Sequence, residues 1–456
     1  MSTRFVSVDR NTPFLLPPDL RDWVPEDDLV HFVLEAVNLV PVEQFQVNAR
    51  GSGSAQYPPH MMLSLLIYCY ANGIFSSRRI ERATHRDIGV RYLTGNTHPD
   101  HDTIAKFRRD NHDAIACCFV RVLQLAQEMK LLKLGVVSID GTKIPANASK
   151  RKSVRYDRAG ELLEHLETEV TALMGKAEQA DQNDEDAQRL PDELKDRAKL
   201  KAKLQAARAE IEARNRARVD AEQAAFEREK ARYAQAKEAG ELPDGAKAPQ
   251  APRKKLREAD QSNLTDPDSR LMCKNKKSPY EQSYNPQLAV DGEGSQLIVG
   301  ARVSNKAFDY YELVADVESI PSVLGRPITV LADGSYGSHD QAIQVEAHGI
   351  GVYVSVHSQP TPAHPRSLRP QSDTPPKKND RAKHPYWQAM QAKMDTDAVK
   401  ALYALRKQTV EPVFGIIKRA INFREFRLRG LAKVSCEWNL VALAYNLKRM
   451  HTLKRA

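Results

Sequence analysis

Three carboxylates stand where a purely structural carboxylate would be out of place, and their types suit one chemistry. Asp140 interrupts the β-branched run Val136-Val137-Ser138-Ile139-Asp140-Gly141-Thr142-Lys143-Ile144, and a charge inside such a strand is costly unless it is paired or coordinated. Asp333 closes the run Ile328-Thr329-Val330-Leu331-Ala332 with Gly334 behind it, at the kind of strand end where open α/β sheets place ligands. Glu411 is the only carboxylate in the basic, otherwise apolar stretch from Tyr403 to Lys418. Pro412 follows it, which predicts a helix starting or kinking there with Pro412 in its first position; Lys418, about two turns further on, would share the face of Glu411.

Two aspartates and a glutamate offer oxygen ligands to hard divalent cations. A pair of Mg²⁺ ions, with Mn²⁺ as a substitute, would activate a water or 3′-hydroxyl and stabilise the leaving oxygen of an in-line displacement at phosphorus. No Cys or His stands among them, which argues against zinc. Each carboxylate also has a plainer reading, as a strand-end cap, a helix start or an ion-pair partner. Asp291, followed by Gly292 between two strand-like runs, reads as a hairpin-turn residue, the Asp-Gly pair supplying the positive φ of the turn. Asn305 and Asp309 read either as groups that support the site from behind or as a helix-start pair, the second being favoured.

The elements that must position these residues differ along the chain. Residues 1–133 look helical, with spaced apolar positions over 28–39, 59–72, 77–93 and 101–132. Ser76 or Ser77 would cap the helix carrying Arg78 and Arg79, and Asp102 or Thr103 the one exposing Lys106, Arg108 and Arg109. Two short helices around a Gly95–Asp102 turn form a weak helix-turn-helix pattern, balanced between DNA contact and a solvated basic face. After residue 134 the chain turns strand-like. Residues 151–260 hold 24 Lys or Arg and 24 Asp or Glu with very few aromatics, and predict two antiparallel helices with a stripe of Leu200, Leu204, Ala207 and Ile211 and a turn within 180–191. The segment 240–260 reads as a loop returning to the body.

The chain of 456 residues carries a formal charge of +9, and residues 401–456 alone hold twelve Lys or Arg against three carboxylates. This asymmetry favours an anionic partner. The five cysteines form no CxxC or Cys/His ladder, so neither a disulfide framework nor a structural zinc site is signalled. No secretory pattern opens the sequence, and the most apolar window, 61–75, is too short and polar for a bilayer. A reducing compartment and no membrane are expected.

At this point the sequence resembles the DDE transposases of bacterial insertion sequences, in the branch with a helical N-terminal transposase domain and a Y…R…E…K signature. The motifs that carry the resemblance come in order: Ser138-Ile-Asp140-Gly-Thr-Lys143 with Ala146-Asn147, Asp266-Pro-Asp268-Ser-Arg270, Tyr284-Asn285-Pro-Gln287, Val330-Leu-Ala-Asp333-Gly-Ser-Tyr336, Val410-Glu411-Pro-Val-Phe414 to Lys418, and Phe426-Arg-Leu-Arg429-Gly430. The resemblance implies an α+β fold: a ribonuclease-H-like mixed-sheet catalytic core (134–150 and 261–456), an all-α N-terminal DNA-binding and multimerisation domain (1–133), and a charged helical, coiled-coil insertion (151–260). It implies Asp140, Asp333 and Glu411 as the catalytic metal triad, and Tyr403, Arg406 and Lys418 as residues near the cut strand. Arg406 lies one residue further from Glu411 than the signature spaces them, and Lys407 has the expected spacing, so either could fill the role. Lys418, Arg419, Arg424, Arg427 and Arg429, with Arg78, Arg79, Lys106, Arg108 and Arg109, would contact double-stranded DNA, both terminal inverted repeats and target. The resemblance further implies a protein that acts at least as a dimer on paired ends, in a bacterial cytoplasm and associated with the nucleoid. The alternatives are a related metal-dependent nuclease without a joining step, a catalytically silent DNA-binding derivative and, least of all, a coiled-coil scaffold.

Overall fold

Polar caps, rather than apolar spacing, decide where the N-terminal helices begin and end. The computed structural model describes residues 19–47, 56–183, 190–239, 248–252, 260–274, 278–356 and 384–455. Helix α1 (Leu29–Val37) starts at Asp28, whose carboxylate accepts from the Val30 amide at 2.8 Å. Helix α2 (Pro59–Ala71) is apolar on all sides and buried, as its sequence requires. The single helix expected over 77–93 is two, α3 (Ser77–Arg86) and α4 (Ile88–Leu93), because Asp87 takes an extended conformation and accepts from the Val90 amide. The run 101–132 likewise divides into α5 (His101–Asp110) and α6 (His112–Glu128), with Asn111 between them accepting from the Gln46 amide. Asp100, not Asp102 or Thr103, caps α5.

The chain then enters strands: β1 (Val136–Gly141), β2 (Ile144–Pro145) and β3 (Ser153–Arg155), followed by the long helices α7 (Tyr156–Asn183) and α8 (Leu190–Glu238). Beyond them lie β4 (Gln261–Asn263), β5 (Arg270–Met272), β6 (Glu281–Asp291), β7 (Ile298–Ser304), α9 (Leu313–Glu318), β8 (Thr329–Ala332), α10 (His339–Glu346) and β9 (Gly351–Val354). Three helices close the described chain: α11 (Pro385–Met394), α12 (Asp397–Gly415) and α13 (Leu431–Arg455). The central sheet runs β7-β6-β1-β8-β9. Strand β6 is antiparallel to both its neighbours, whereas β1, β8 and β9 are mutually parallel. This is the ribonuclease-H-like mixed sheet that the sequence led us to expect. Strands β2 and β5 lengthen it along the first residues of β6.

The β6–β7 hairpin forms as expected, but its turn chemistry differs from the Asp-Gly reading. The left-handed positions are Gly294 (φ 107°) and Gln296 (φ 57°) rather than Gly292. Asp291 is buried instead, accepting the Ser295 hydroxyl at 2.6 Å. Helix α13 is buried along most of its length and packs against α2, α6 and β7, so the N-terminal helices and the sheet share one apolar core.

Helices α7 and α8 run antiparallel, as Tyr156 to Glu212 (2.7 Å), Arg197 to Glu169 (3.3 Å) and Lys201 to Glu167 (2.9 Å) show. A small separate core of Val154, Ala159, Leu163, Leu166, Leu204 and Ala207 holds their base. Leu204, Ala207 and Ile211 bury the expected stripe, while Leu200 is exposed. Much of the turn within 180–191 and of the return loop 240–260 lies outside the described residues. Past Glu212, α8 continues to Glu238 as a largely exposed rod of about 39 Å. Truncating Leu204 to alanine leaves a cavity costing about 2–5 kcal/mol. That loss is expected to appear as faster amide exchange within 156–215 with unchanged protection of β1 and β6.

Candidate active site

The parallel pairing of β1 with β8 sets Ile139 opposite Ala332, so the next residue of each strand, Asp140 and Asp333, leaves the same sheet edge side by side. Helix α12 crosses this edge. Thr409 donates to the Ser138 hydroxyl at 2.7 Å, and Arg406, three residues earlier on the same helical face, reaches Asp140. The guanidinium of Arg406 contacts all three carboxylates: Nη2 lies 2.8 Å from Asp140 Oδ2 and 3.9 Å from Asp333 Oδ2, and Nη1 lies 3.6 Å from Glu411 Oε1. Lys407, which has the spacing of the signature, is exposed and points elsewhere, lining a hollow with Ser355 and Tyr403.

Pro412 does not start a helix. It lies inside helix α12, which corrects the reading of a helix start, and the Gln408 carbonyl that the missing proline N–H would have bonded accepts from the Gln296 side chain at 2.7 Å. One π-helical turn follows, over Ile416–Ala420, and it brings Lys418 Nζ onto the Thr142 hydroxyl and 5.6 Å from the Phe414 ring. Burial pushes the Lys418 amine down to about 8, and nearby Lys274 adds to the shift.

For Asp309 the less favoured of the two sequence readings holds, since it is carried to the site rather than starting a helix. The buried amides of Asn285 and Gln287 both donate to its Oδ1 at 2.7 Å, and Tyr336 fixes the amide of Gln287 by donating to Oε1 at 2.5 Å. Its Oδ2 lies 3.3 Å from the Ser335 hydroxyl, which donates to Asp333. Gly141 leaves room for this: a Cβ there would sit 2.7 Å from Asp309 Oδ1. Asn285, Gln287 and Tyr336 were visible as motif residues, but only strand register shows that they converge on Asp309. A cavity of about 800 Å³ opens beside these residues, lined by Lys143, Phe308, Asp309, Ser335 and His339 among others.

The carboxyl of Asp140 is pushed up to about 7, first by burial and then by Asp333 and Asp309, with Arg406 and the Gly141 amide opposing. Between its ordinary value and 7 the folded chain therefore holds a proton that the unfolded chain has lost, so this group's contribution to stability is lost as pH rises through 7. Without divalent ions, unfolding free energy is expected to fall by on the order of 1 kcal/mol from pH 6 to 8 through this group. Thermal melts of wild type and Asp140→Asn measure it, the variant losing that share of the slope.

The donor set is all oxygen, which suits hard divalent cations. Among the described residues no three such ligands close on a single point as they stand, since the carboxylates are spread around Arg406.

Of the residues expected to meet DNA, Arg78, Arg79, Lys106, Arg109, Arg419, Arg424, Arg427 and Arg429 are exposed. Arg108 is not: it is 5% exposed and donates to the Tyr70 hydroxyl and the Phe75 carbonyl, which corrects its reading as a surface contact. Tyr403 is partly buried and donates to the Ala332 carbonyl at 2.9 Å. Asp266 and Asp268, which had no assigned role, anchor the chain before α13: Asp266 accepts the Gly430 amide and the Tyr284 hydroxyl, and Asp268 the Leu431 amide.

The site thus consists of a ribonuclease-H-like sheet with aspartates at the ends of two adjacent parallel strands and a glutamate on the helix that crosses them. Residues 372–451 match the family described as Transposase DDE domain, and residues 18–110 that described as Transposase domain (DUF772). The two matches support an insertion-sequence DDE transposase, a type of protein that generally uses divalent metals. No curated protein and no solved structure matches the chain. Among the described residues no helix is long and apolar enough to cross a membrane.

Proposed function

We propose that this protein is a DNA transposase that cuts, and then joins, strands at the ends of its own insertion sequence, using two Mg²⁺ ions held by Asp140, Asp333 and Glu411. The observation that carries the reading is the convergence of these three carboxylates, from three separate elements, on the one guanidinium of Arg406. Bound there, the ions would supply the Lewis acidity that activates the attacking oxygen and steadies the leaving one. The chain's own residues do the rest. The cavity beside Asp309 and Lys143 gives room for the strand to be cut. Asp309, braced by two amides, adds a fourth carboxylate beside the triad. Lys418, freed from Thr142, would meet a phosphate oxygen, and Arg406 would turn from the carboxylates to the DNA backbone.

The exposed basic residues named above would neutralise phosphates, so affinity for a duplex should drop steeply with salt. The α7–α8 arm is assigned to DNA-end or subunit contacts within a dimer or larger multimer, in a bacterial cytoplasm at the nucleoid. Deleting 160–255 is expected to lower end affinity at least tenfold or to reduce the multimer to a smaller species, as read by gel shift and light scattering; unchanged values for both would remove the arm from this role.

The test of the function itself is to incubate the full chain with Mg²⁺ and a duplex carrying the DNA that flanks its gene. Cleavage at a defined end followed by attack of the new 3′-hydroxyl on a second duplex is the expected result. Cutting without joining would favour the metal-dependent nuclease, and binding without cutting, with Mn²⁺ also tried, the silent DNA-binding derivative.

A further inference from the structure

Three buried polar side chains take no part in the site described above. Glu437 on α13 and Tyr70 on α2 are fully buried, and Arg108 on α5 nearly so. They form a chain: Arg108 Nη1 donates to the Tyr70 hydroxyl at 2.8 Å, and Tyr70 donates to Glu437 Oε1 at 3.2 Å. The other carboxylate oxygen, Oε2, accepts the backbone amides of Arg427 at 2.9 Å and Leu428 at 3.0 Å. Those amides belong to the segment 422–430, which presents Arg424, Arg427 and Arg429 to solvent. The same segment is tied to the chain that leaves the catalytic strand. The Phe426 amide donates to the Pro145 carbonyl at 3.0 Å, Asn147 donates to the Arg427 carbonyl at 2.9 Å, and Arg429 donates back to the Asn147 carbonyl at 2.8 Å.

A carboxylate in this setting needs a reason. An apolar side chain would be the less costly occupant of a fully buried helical position, and burial does push the Glu437 carboxyl up. Its lone pairs are nonetheless spent on two consecutive amides of one exposed basic loop, and its charge is opposed by an arginine reached through a single hydroxyl. The two regions matched separately to transposase families, 18–110 and 372–451, meet at this chain.

We propose that Glu437 is a positioning residue for DNA binding: braced by Tyr70 and Arg108, it fixes the backbone of 422–430 so that Arg424 and Arg427 meet phosphates in a set register with the catalytic strand. The proposal rests on the DNA reading above and adds to it a residue that touches no DNA.

The test uses the full chain with two variants, Glu437→Gln, which keeps the shape, and Tyr70→Phe, which breaks the chain one residue further back should the first fail to fold. Two readouts are taken: amide exchange at 427 and 428, and the slope of log K against log salt for a duplex. Each variant is expected to speed exchange at these two amides about tenfold relative to β1 and β6. The salt slope should flatten by about 1.8, the value for two lost phosphate contacts, although every arginine of the loop is still present. A lower melting temperature with both readouts unchanged would make Glu437 a merely structural buried acid and overturn the proposal. A wild-type chain that binds no duplex at any salt would overturn the DNA reading on which it rests, whatever the exchange data show.

Discussion

Replacing Asp333 by alanine is expected to reduce Mg²⁺-dependent strand cleavage by about 10³ or more while duplex binding persists. The magnitude follows from what the carboxylate is asked to do. Lewis-acid stabilisation at a transferring phosphoryl group is worth several kcal/mol, and each 1.36 kcal/mol is a factor of ten in rate. The fold should tolerate the change: the Asp333 side chain is 37% exposed at the end of β8 and packs no core. Binding should hold or strengthen, because a negative charge is removed from a surface that must receive phosphates. Cleavage timed on an end-labelled duplex, with gel-shift affinity and a thermal melt on the same preparation, separates the outcomes. A variant that still cuts would move the ligand role to another carboxylate, Asp309 being nearest at hand.

The parts of this molecule readable from sequence are those whose signal is local. The β-branched runs around Asp140 and before Asp333 announce strands, their carboxylates stand out because the neighbours are apolar, and the charged, aromatic-poor stretch 151–260 reads as a helical hairpin. What was not legible depends on partners far along the chain. Arg108 looks like any solvated arginine on a short helix; its hydroxyl partner Tyr70 faces Glu437 across 367 positions of sequence. Pro412 looks like a helix start until Gln296, 112 positions from Gln408, supplies the hydrogen bond that the proline cannot. Asp309 sits in a loop with no motif of its own, so a supporting role at the site is the less favoured of its two readings until the register of β6 aims the amides of Asn285 and Gln287 at it. The choice between Arg406 and Lys407 turned on helix phase. Spacing to Glu411 favoured Lys407, whereas the face that carries Thr409 onto Ser138 also carries Arg406 onto Asp140.

That placement of Arg406 leads to the second large effect. A guanidinium in contact with three carboxylates competes for the same oxygens as a divalent ion. At ~4 Å and an effective dielectric near 20, a unit charge is worth about 4 kcal/mol before solvent and relaxation reduce it. Arg406→Met is therefore expected to tighten Mn²⁺ binding at least tenfold at pH 8.5, measured by calorimetry or by the spin signal of free Mn²⁺, while cleavage falls about 10²-fold because the backbone phosphate loses its partner. The alkaline pH matters for the sign. Arg406 lowers the proton affinity of Asp140, so its loss would raise that carboxyl above its present value of about 7, and a proton would then compete for the oxygen that Arg406 has vacated. At pH 6.5 the gain in Mn²⁺ affinity should accordingly shrink. Opposite movement of affinity and rate distinguishes a competing, substrate-facing arginine from a structural clamp, whose removal would loosen the carboxylates and weaken both together. The clamp alternative has its own expectation: Arg406→Lys would keep rate and melting temperature alike near those of the wild type. A placeholder that must also grip phosphate with two N–H groups would recover the charge with lysine but little of the rate.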